Sequence, residues 1–195
     1  TGSVPSGAST GTHEALELRD GGKEYGGLAV TKAIEHINTK IAPVLIGMPI
    51  DSLKKLDTMI LMLDESEQKK ELGANAVLAV SMALARALSN NNNEPLWKTL
   101  NNQYFLDKNP SFPRLMVNVI NGGAHANWNI DFQEYMLIPK ETKPSISIRQ
   151  AAETFHALKS ILKDDKQIVA VGDEGGFAPQ LNTNKEGFAL LDKAI

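Results

Sequence analysis

The sequence has no cysteine, so a disulfide framework, a thiolate metal site and a cysteine nucleophile are all excluded. A reducing compartment is the natural expectation. It also lacks an excess of either charge: 20 Lys and Arg face 23 Asp and Glu, for a net charge of −3. That balance argues against a chain whose work is to neutralise a phosphodiester backbone, so no nucleic-acid partner is expected. No apolar run is long enough to cross a bilayer. The longest, 74–88, is interrupted by Asn75, Ser81 and Arg86 and reads as a buried helix, so no membrane partner is expected either. Residues 1–12 lack both the charged head and the apolar core of a signal peptide. No repeat is visible, and the only low-complexity block is the asparagine run 90–93. What is present is a globular composition, with 42% apolar and 22% charged residues in a chain of 195, which rules out wholesale disorder.

Two textures divide the chain. Up to about residue 105 helical spacing dominates. Apolar positions recur from Leu28 through Ile34, Ile37 and Ile41 to Leu45, with a kink or restart expected at Pro43. Asp51 or Ser52 is placed to cap a helix with an inner stripe of Leu53, Leu56, Ile60 and Leu63. The segment 74–88, apolar almost all round, is expected at the centre of the helical part, and Pro95 opens a short fourth helix. Residues 14–19 read as a short strand. Past the proline-bracketed linker 107–113 come two β-branched or aromatic segments, 115–120 and 132–138, which are expected to be antiparallel strands. An amphipathic helix over 147–162 and a third strand over 168–171 follow. The fold class is therefore α/β, with domains expected at 1–105 and 112–195. Thr1 is not a start methionine and a helical pattern still runs at Ile195, so the chain is expected to be a fragment of a longer protein.

Three segments carry more glycine and polar residues than packing requires. PSGASTG at 5–11 is a hydroxyl-rich loop able to present Ser6, Ser9 or Thr10 to a ligand. In 121–134 two glycines and His125 follow a strand, and Gln133 and Glu134 open the next. GDEGG at 172–176 sets Asp173 and Glu174 between glycines at the end of an apolar segment, where a carboxylate pair has no packing purpose. If the strands run up, down and up again, His125, the Gln133 and Glu134 pair and the Asp173 and Glu174 pair all reach the same mouth of the sheet, where active sites of α/β barrels assemble. Crowding of Glu134, Asp173 and Glu174 should then raise at least one carboxyl above the ~4.3 of an isolated Glu and leave it a general acid.

Six segments in order, VPSGASTG at 4–11, EALELRD at 14–20, LGANAVLAVS at 72–81, NVINGGAHA at 118–126, FQEYMLIP at 132–139 and VGDEGGFAP at 171–179, resemble the enolase family over essentially the whole chain. The resemblance implies a partial α+β capping domain over 1–105, its first strands missing. It also implies the start of a β-β-α-α(βα)6 TIM-type barrel over 112–195. It further implies dehydration of 2-phospho-D-glycerate to phosphoenolpyruvate in glycolysis, in the cytoplasm, by a homodimer or larger even assembly with two Mg²⁺ per active site. By the same resemblance Glu174 is the general acid, Glu134 assists it, and His125, Gln133 and Glu134 contact substrate. Ser9 ligates the second magnesium when the loop closes, and His13 belongs to that lid. The base lysine and the principal metal ligands are expected outside this chain, so the isolated fragment is expected to be inactive. Lys185 and Lys193 are not substitutes for that base, while His36 and His156 read as structural. A non-catalytic enolase-like binding or structural protein is the alternative from another class, and intact acid, lid and substrate motifs argue against it. A superfamily member acting on another carboxylate is disfavoured by the PSGAST and GDEGG segments.

Overall fold

The computed structural model describes residues 1–7, 10–105, 109–172 and 174–195, and divides into two units, Thr1–Pro110 and Ser111–Ile195. In the first unit, helical spacing becomes helix. Thr31–His36 (α1) runs through a π-helical turn at Ile37–Ile41 into Ala42–Leu45 (α2). The irregularity expected at Pro43 thus falls just ahead of it: the proline, which has no N–H to give the continuing helix, directly follows the π-helical turn and Ala42. Leu53–Leu61 (α3) is capped by Ser52, whose Oγ accepts from the Lys55 N–H at 3.3 Å. Ala74–Asn91 (α4) ends within the asparagine run, and Leu96–Leu100 (α5) follows Pro95.

Ala33, Ile41, Ile60, Leu72 and Ala76 form the centre of this unit, with Leu53, Ala85 and Leu88 in a neighbouring cluster. Helix α4 is less enclosed than its composition suggests. Ala76, Ala85, Leu88 and Ser89 are buried, but Leu78 is exposed, so one side of the helix carries the packing. The strand expected over 14–19 is absent. Its backbone groups are taken singly instead: Leu16 N–H donates to Gln68 O, Ala74 N–H donates to Leu16 O, and the Asn75 amide both accepts from Leu18 N–H and donates to Leu18 O. These bonds fall on the alternate residues Leu16 and Leu18 and come from a loop, a helix start and a side chain, so they do not add up to a strand pairing.

The second unit is built on two antiparallel strands, Val117–Asn121 (β1) and Glu134–Leu137 (β2). Their register pairs Val117 with Leu137 and Asn121 with Glu134, with a bulge between Asn118 and Ile120. Helices Pro144–Asp164 (α6) and Asn184–Ala194 (α7) cover them. The core joins Val119, Ile120 and Tyr135 to Leu158, Leu162 and Leu191, and the Phe155 ring stacks on Phe177 at 4.3 Å. The third strand expected over 168–171 does not form. The parallel contact with β1 comes from Phe177, six residues later, which donates to Val119 O and accepts from Asn121 N–H, while Val171 makes only a single antiparallel bridge to Phe177. The 172–176 loop folds back on itself through Gly172 N–H to Gly176 O, and its returning arm takes the β1 positions the outgoing arm was expected to hold.

Among the described residues, no helix is long and apolar enough to cross a membrane.

Candidate active site

Strand β1 ends at Asn121, and the chain turns at once through Gly122 into a 3-10 turn at Gly123–Ala126 that carries His125. The crossing is tight: a Cβ at position 122 would lie 2.1 Å from Phe132 O, so only glycine fits. Gly122 N–H donates to Gln133 O at 2.8 Å, which brings the start of β2 beside the turn. Gln133 and Glu134 are thereby held next to His125. The loop is fastened further along by Asn184 Oδ1, which accepts from the N–H groups of Asp131 and Phe132, and by Asn129 Nδ2, which donates to Pro179 O.

Four of the residues expected at the site meet there. Gln133 Nε2 lies 3.1 Å from His125 Nε2, and His125 Nε2 lies 3.7 Å from Glu174 Oε1. Glu134 shares a side-chain hydrogen bond with Glu174. That bond, then burial, then the charge of Glu174 push the Glu134 carboxyl above its ordinary value, with His125 acting against them. The expectation of a raised carboxyl thus holds for Glu134. Its leading cause is the hydrogen bond to Glu174, ahead of burial and of the simple repulsion read from the sequence. Ser9 and Asp173 lie outside the described residues.

The other singled-out residues stand apart from this cluster. His36 is held by Leu72 O at 3.0 Å, a structural contact, and His13 is exposed. His156 is exposed with its ring edge-on to Phe155. Lys185 and Lys193 lie exposed on α7.

Among the described residues, His125, Glu134 and Glu174 form the group that could hold a metal ion, with ligand atoms within 4.8 Å of one another. The donor set does not fit magnesium. Mg²⁺ takes oxygen ligands in a near-octahedral shell, whereas this trio offers an imidazole nitrogen and two carboxyls, of which Glu134 is pushed toward its protonated form. A coordinating carboxylate has to give that proton up. The arrangement suits delivery of a proton to a bound group better than it suits ion binding.

Sequence reasoning missed the asparagines that brace the site. Asn121 is fully buried at the end of β1 and accepts from Asn118 of the same strand, and Asn129 and Asn184 tie neighbouring loops. The available signal was two asparagines in VNVIN, polar residues inside an apolar strand that must find partners when buried.

Two family models match the chain, the enolase N-terminal domain over residues 1–100 and the enolase C-terminal TIM barrel domain over residues 109–195. Similar proteins include the enolase of Wolinella succinogenes, 48% identical over 193 residues, covering 98% of this chain and 45% of that protein. The enolase of Legionella pneumophila strain Corby is 45% identical over 195 residues, covering 99% of this chain and 45% of that protein. That of Pyrococcus furiosus is 49% identical over 197 residues, covering 98% of this chain and 44% of that protein. The chain therefore spans less than half the length of the curated relatives it matches. Its helical first unit corresponds to the first family model and its β-β opening to the start of the barrel, and on these matches the chain belongs to the enolase family.

Proposed function

We infer that the chain is part of a lyase that dehydrates 2-phospho-D-glycerate to phosphoenolpyruvate in glycolysis, and that the cluster of His125, Gln133, Glu134 and Glu174 is the acid side of that reaction. The observation that carries the reading is the carboxyl pair. Glu134 and Glu174 share a hydrogen bond beside His125, and the Glu134 carboxyl is raised by it. The reaction breaks the C2–H bond, forms the C2–C3 double bond and breaks the bond from C3 to its hydroxyl. Hydroxide is a poor leaving group, so the step needs a proton at that oxygen. Glu174 supplies it and water departs. Glu134, hydrogen-bonded to Glu174, has its carboxyl pushed above its ordinary value, which favours a protonated carboxyl in the pair. His125 and Gln133, in contact with each other at the edge of the pair, bind and orient the substrate.

The base that takes the C2 proton belongs, in this reading, to the stretch of the relatives that this chain does not span. So do the principal magnesium ligands, since the described trio does not suit that ion. Ser9 keeps its assignment as a lid ligand for the second magnesium. The complete protein is read as a cytosolic homodimer or larger even assembly.

The test uses a full-length protein carrying these residues, with phosphoenolpyruvate formation followed by ultraviolet absorbance. Glu174→Gln should reduce dehydration by about 10²- to 10⁴-fold, the span of a general acid, while exchange of the C2 proton with solvent survives in part. If exchange and dehydration vanish together, Glu174 has no separate acid role.

A further inference from the structure

Asn121 is wholly buried, and the proton-transfer chemistry above makes no use of it. Its Nδ2 donates to Gly176 O at 2.8 Å, and its Oδ1 accepts from Asn118 Nδ2 at 2.7 Å. Its backbone N–H donates to Phe177 O at 2.8 Å, and in the ladder it stands opposite Glu134. One residue therefore touches both carriers of the carboxyl pair, β2 at Glu134 and the returning arm of the loop that holds Glu174.

The amide can sit only one way round. Gly176 O is an acceptor and requires the Nδ2 group, which leaves Oδ1 to face the Asn118 donor. The surrounding space is fitted to it. A Cβ at position 172 would lie 2.5 Å from Asn121 Nδ2, and one at position 176 would lie 3.0 Å from Asn121 Oδ1 and from Asn118 Oδ1. Gly172, just before the acidic pair, and Gly176, two residues after Glu174, are thus the places where the loop closes on the buried amides. The loop's own bonds, Gly172 N–H to Gly176 O and Gly175 N–H to Gly172 O, hold its shape but do not attach it to β1. Attachment comes from the Asn121 side chain and the Phe177 backbone.

We propose that Asn121 is a positioning residue that sets the distance of Glu174 from Glu134 and His125. Loss of its amide leaves Gly176 O with only the loop's own Gly172 N–H, leaves Asn118 Nδ2 without its acceptor, and frees the arm of the loop nearest Glu174. Misplacement of a reacting group by about 1 Å can cost on the order of 10²-fold. The loss should fall on delivery of the proton to the departing hydroxyl, because Asn121 touches the carriers of the acid pair. The kinetic part of this proposal rests on the dehydration reading.

Asn121→Ala in the full-length protein should slow dehydration of 2-phosphoglycerate by about 10- to 100-fold with KM little changed, and should slow C2-proton exchange far less. In selectively labelled protein the nuclear Overhauser contact between the His125 ring and the Glu174 side-chain CH2 groups should weaken. Equal losses of exchange and dehydration, or an undiminished contact in the folded variant, overturn the proposal. If Asn121→Ala does not fold by far-ultraviolet circular dichroism, Asn118→Ala is read in its place. That variant spares the bond to Gly176 and removes only the donor to Asn121 Oδ1. The same skew toward dehydration in smaller degree is expected, and equal losses again overturn the role. The Overhauser measurement needs no turnover. An unsubstituted protein that does not dehydrate 2-phosphoglycerate, together with a weakened contact in the variant, would sink the dehydration reading and leave the positioning role standing.

Discussion

Two carboxyls show how one side-chain type is driven in opposite directions by its surroundings. Asp64 in the first unit is buried, which alone would raise it, but the Ser66 hydroxyl and the backbone N–H groups of Leu72, Ser66 and Glu71 all donate to it and hold it below its ordinary value. A carboxyl lowered in the folded state contributes stability that is present above about pH 3.9, its unfolded value, and is lost as pH falls through the folded value. Acid unfolding of the first unit should therefore depend on Asp64. Asp64→Asn should lower stability at pH 7 by about 1–3 kcal/mol, because donors are left buried without an acceptor, and should flatten the acid limb of a stability-versus-pH curve. An unchanged acid limb in denaturant melts would show that other carboxyls govern it. Glu134 has the opposite sign. Raised in the folded state, it favours folding below about pH 4.3 and loses that contribution as pH rises through its folded value. Because Glu174 is the leading cause, Glu174→Gln should lower the Glu134 midpoint in a carboxyl NMR titration; a midpoint that stays put would make burial the cause instead.

Elements with their own local signals match the sequence reading closely. Helix α3 is an example, with a leucine and isoleucine stripe and Ser52 as its cap. Ser52→Ala should cost the first unit about 0.5–2 kcal/mol, read as a shift of that unit's own unfolding transition, and no shift would mean the cap bond is too exposed to matter. The helices, the two antiparallel strands and the grouping of His125, Gln133, Glu134 and Glu174 were all legible, because periodicity, capping and glycine-bracketed polar segments are local properties. The failures involve partners that periodicity cannot name. Residues 14–19 read as a strand but are held by Gln68, Ala74 and the Asn75 amide, and the parallel contact with β1 went to Phe177 in place of 168–171. Which arm of a loop takes an open strand edge is decided by the fold-back at Gly172–Gly176, a non-local fact. The bracing role of Asn121 was hidden for the same reason, since an asparagine in a strand announces a need for partners without naming them.

At the scale of the whole molecule, the second unit leaves a broad apolar groove of about 1110 Å³ between β2, α6 and α7. Met136, Ile138, Phe188 and Ile195 line it, and each is substantially exposed. The edges of its short two-stranded sheet compound the problem, for unpaired strand groups invite pairing with other chains. Monomeric proteins rarely tolerate contiguous apolar surface of this kind, so the 195-residue chain expressed alone should self-associate as its concentration rises and should bind a hydrophobic dye. Under the dehydration reading the same chain holds an acid pair without the base that must act first, so phosphoenolpyruvate should form only at the background rate even with excess Mg²⁺. The two expectations have separate physical causes and separate readouts, light scattering with sedimentation for the surface and ultraviolet absorbance for the chemistry. A chain that stays monomeric across the concentration range would show that the groove closes by local repacking. Turnover above background by that chain would mean that a base lies within these residues, and Lys185, Lys193 and the remaining lysines would then have to be replaced one at a time to find it.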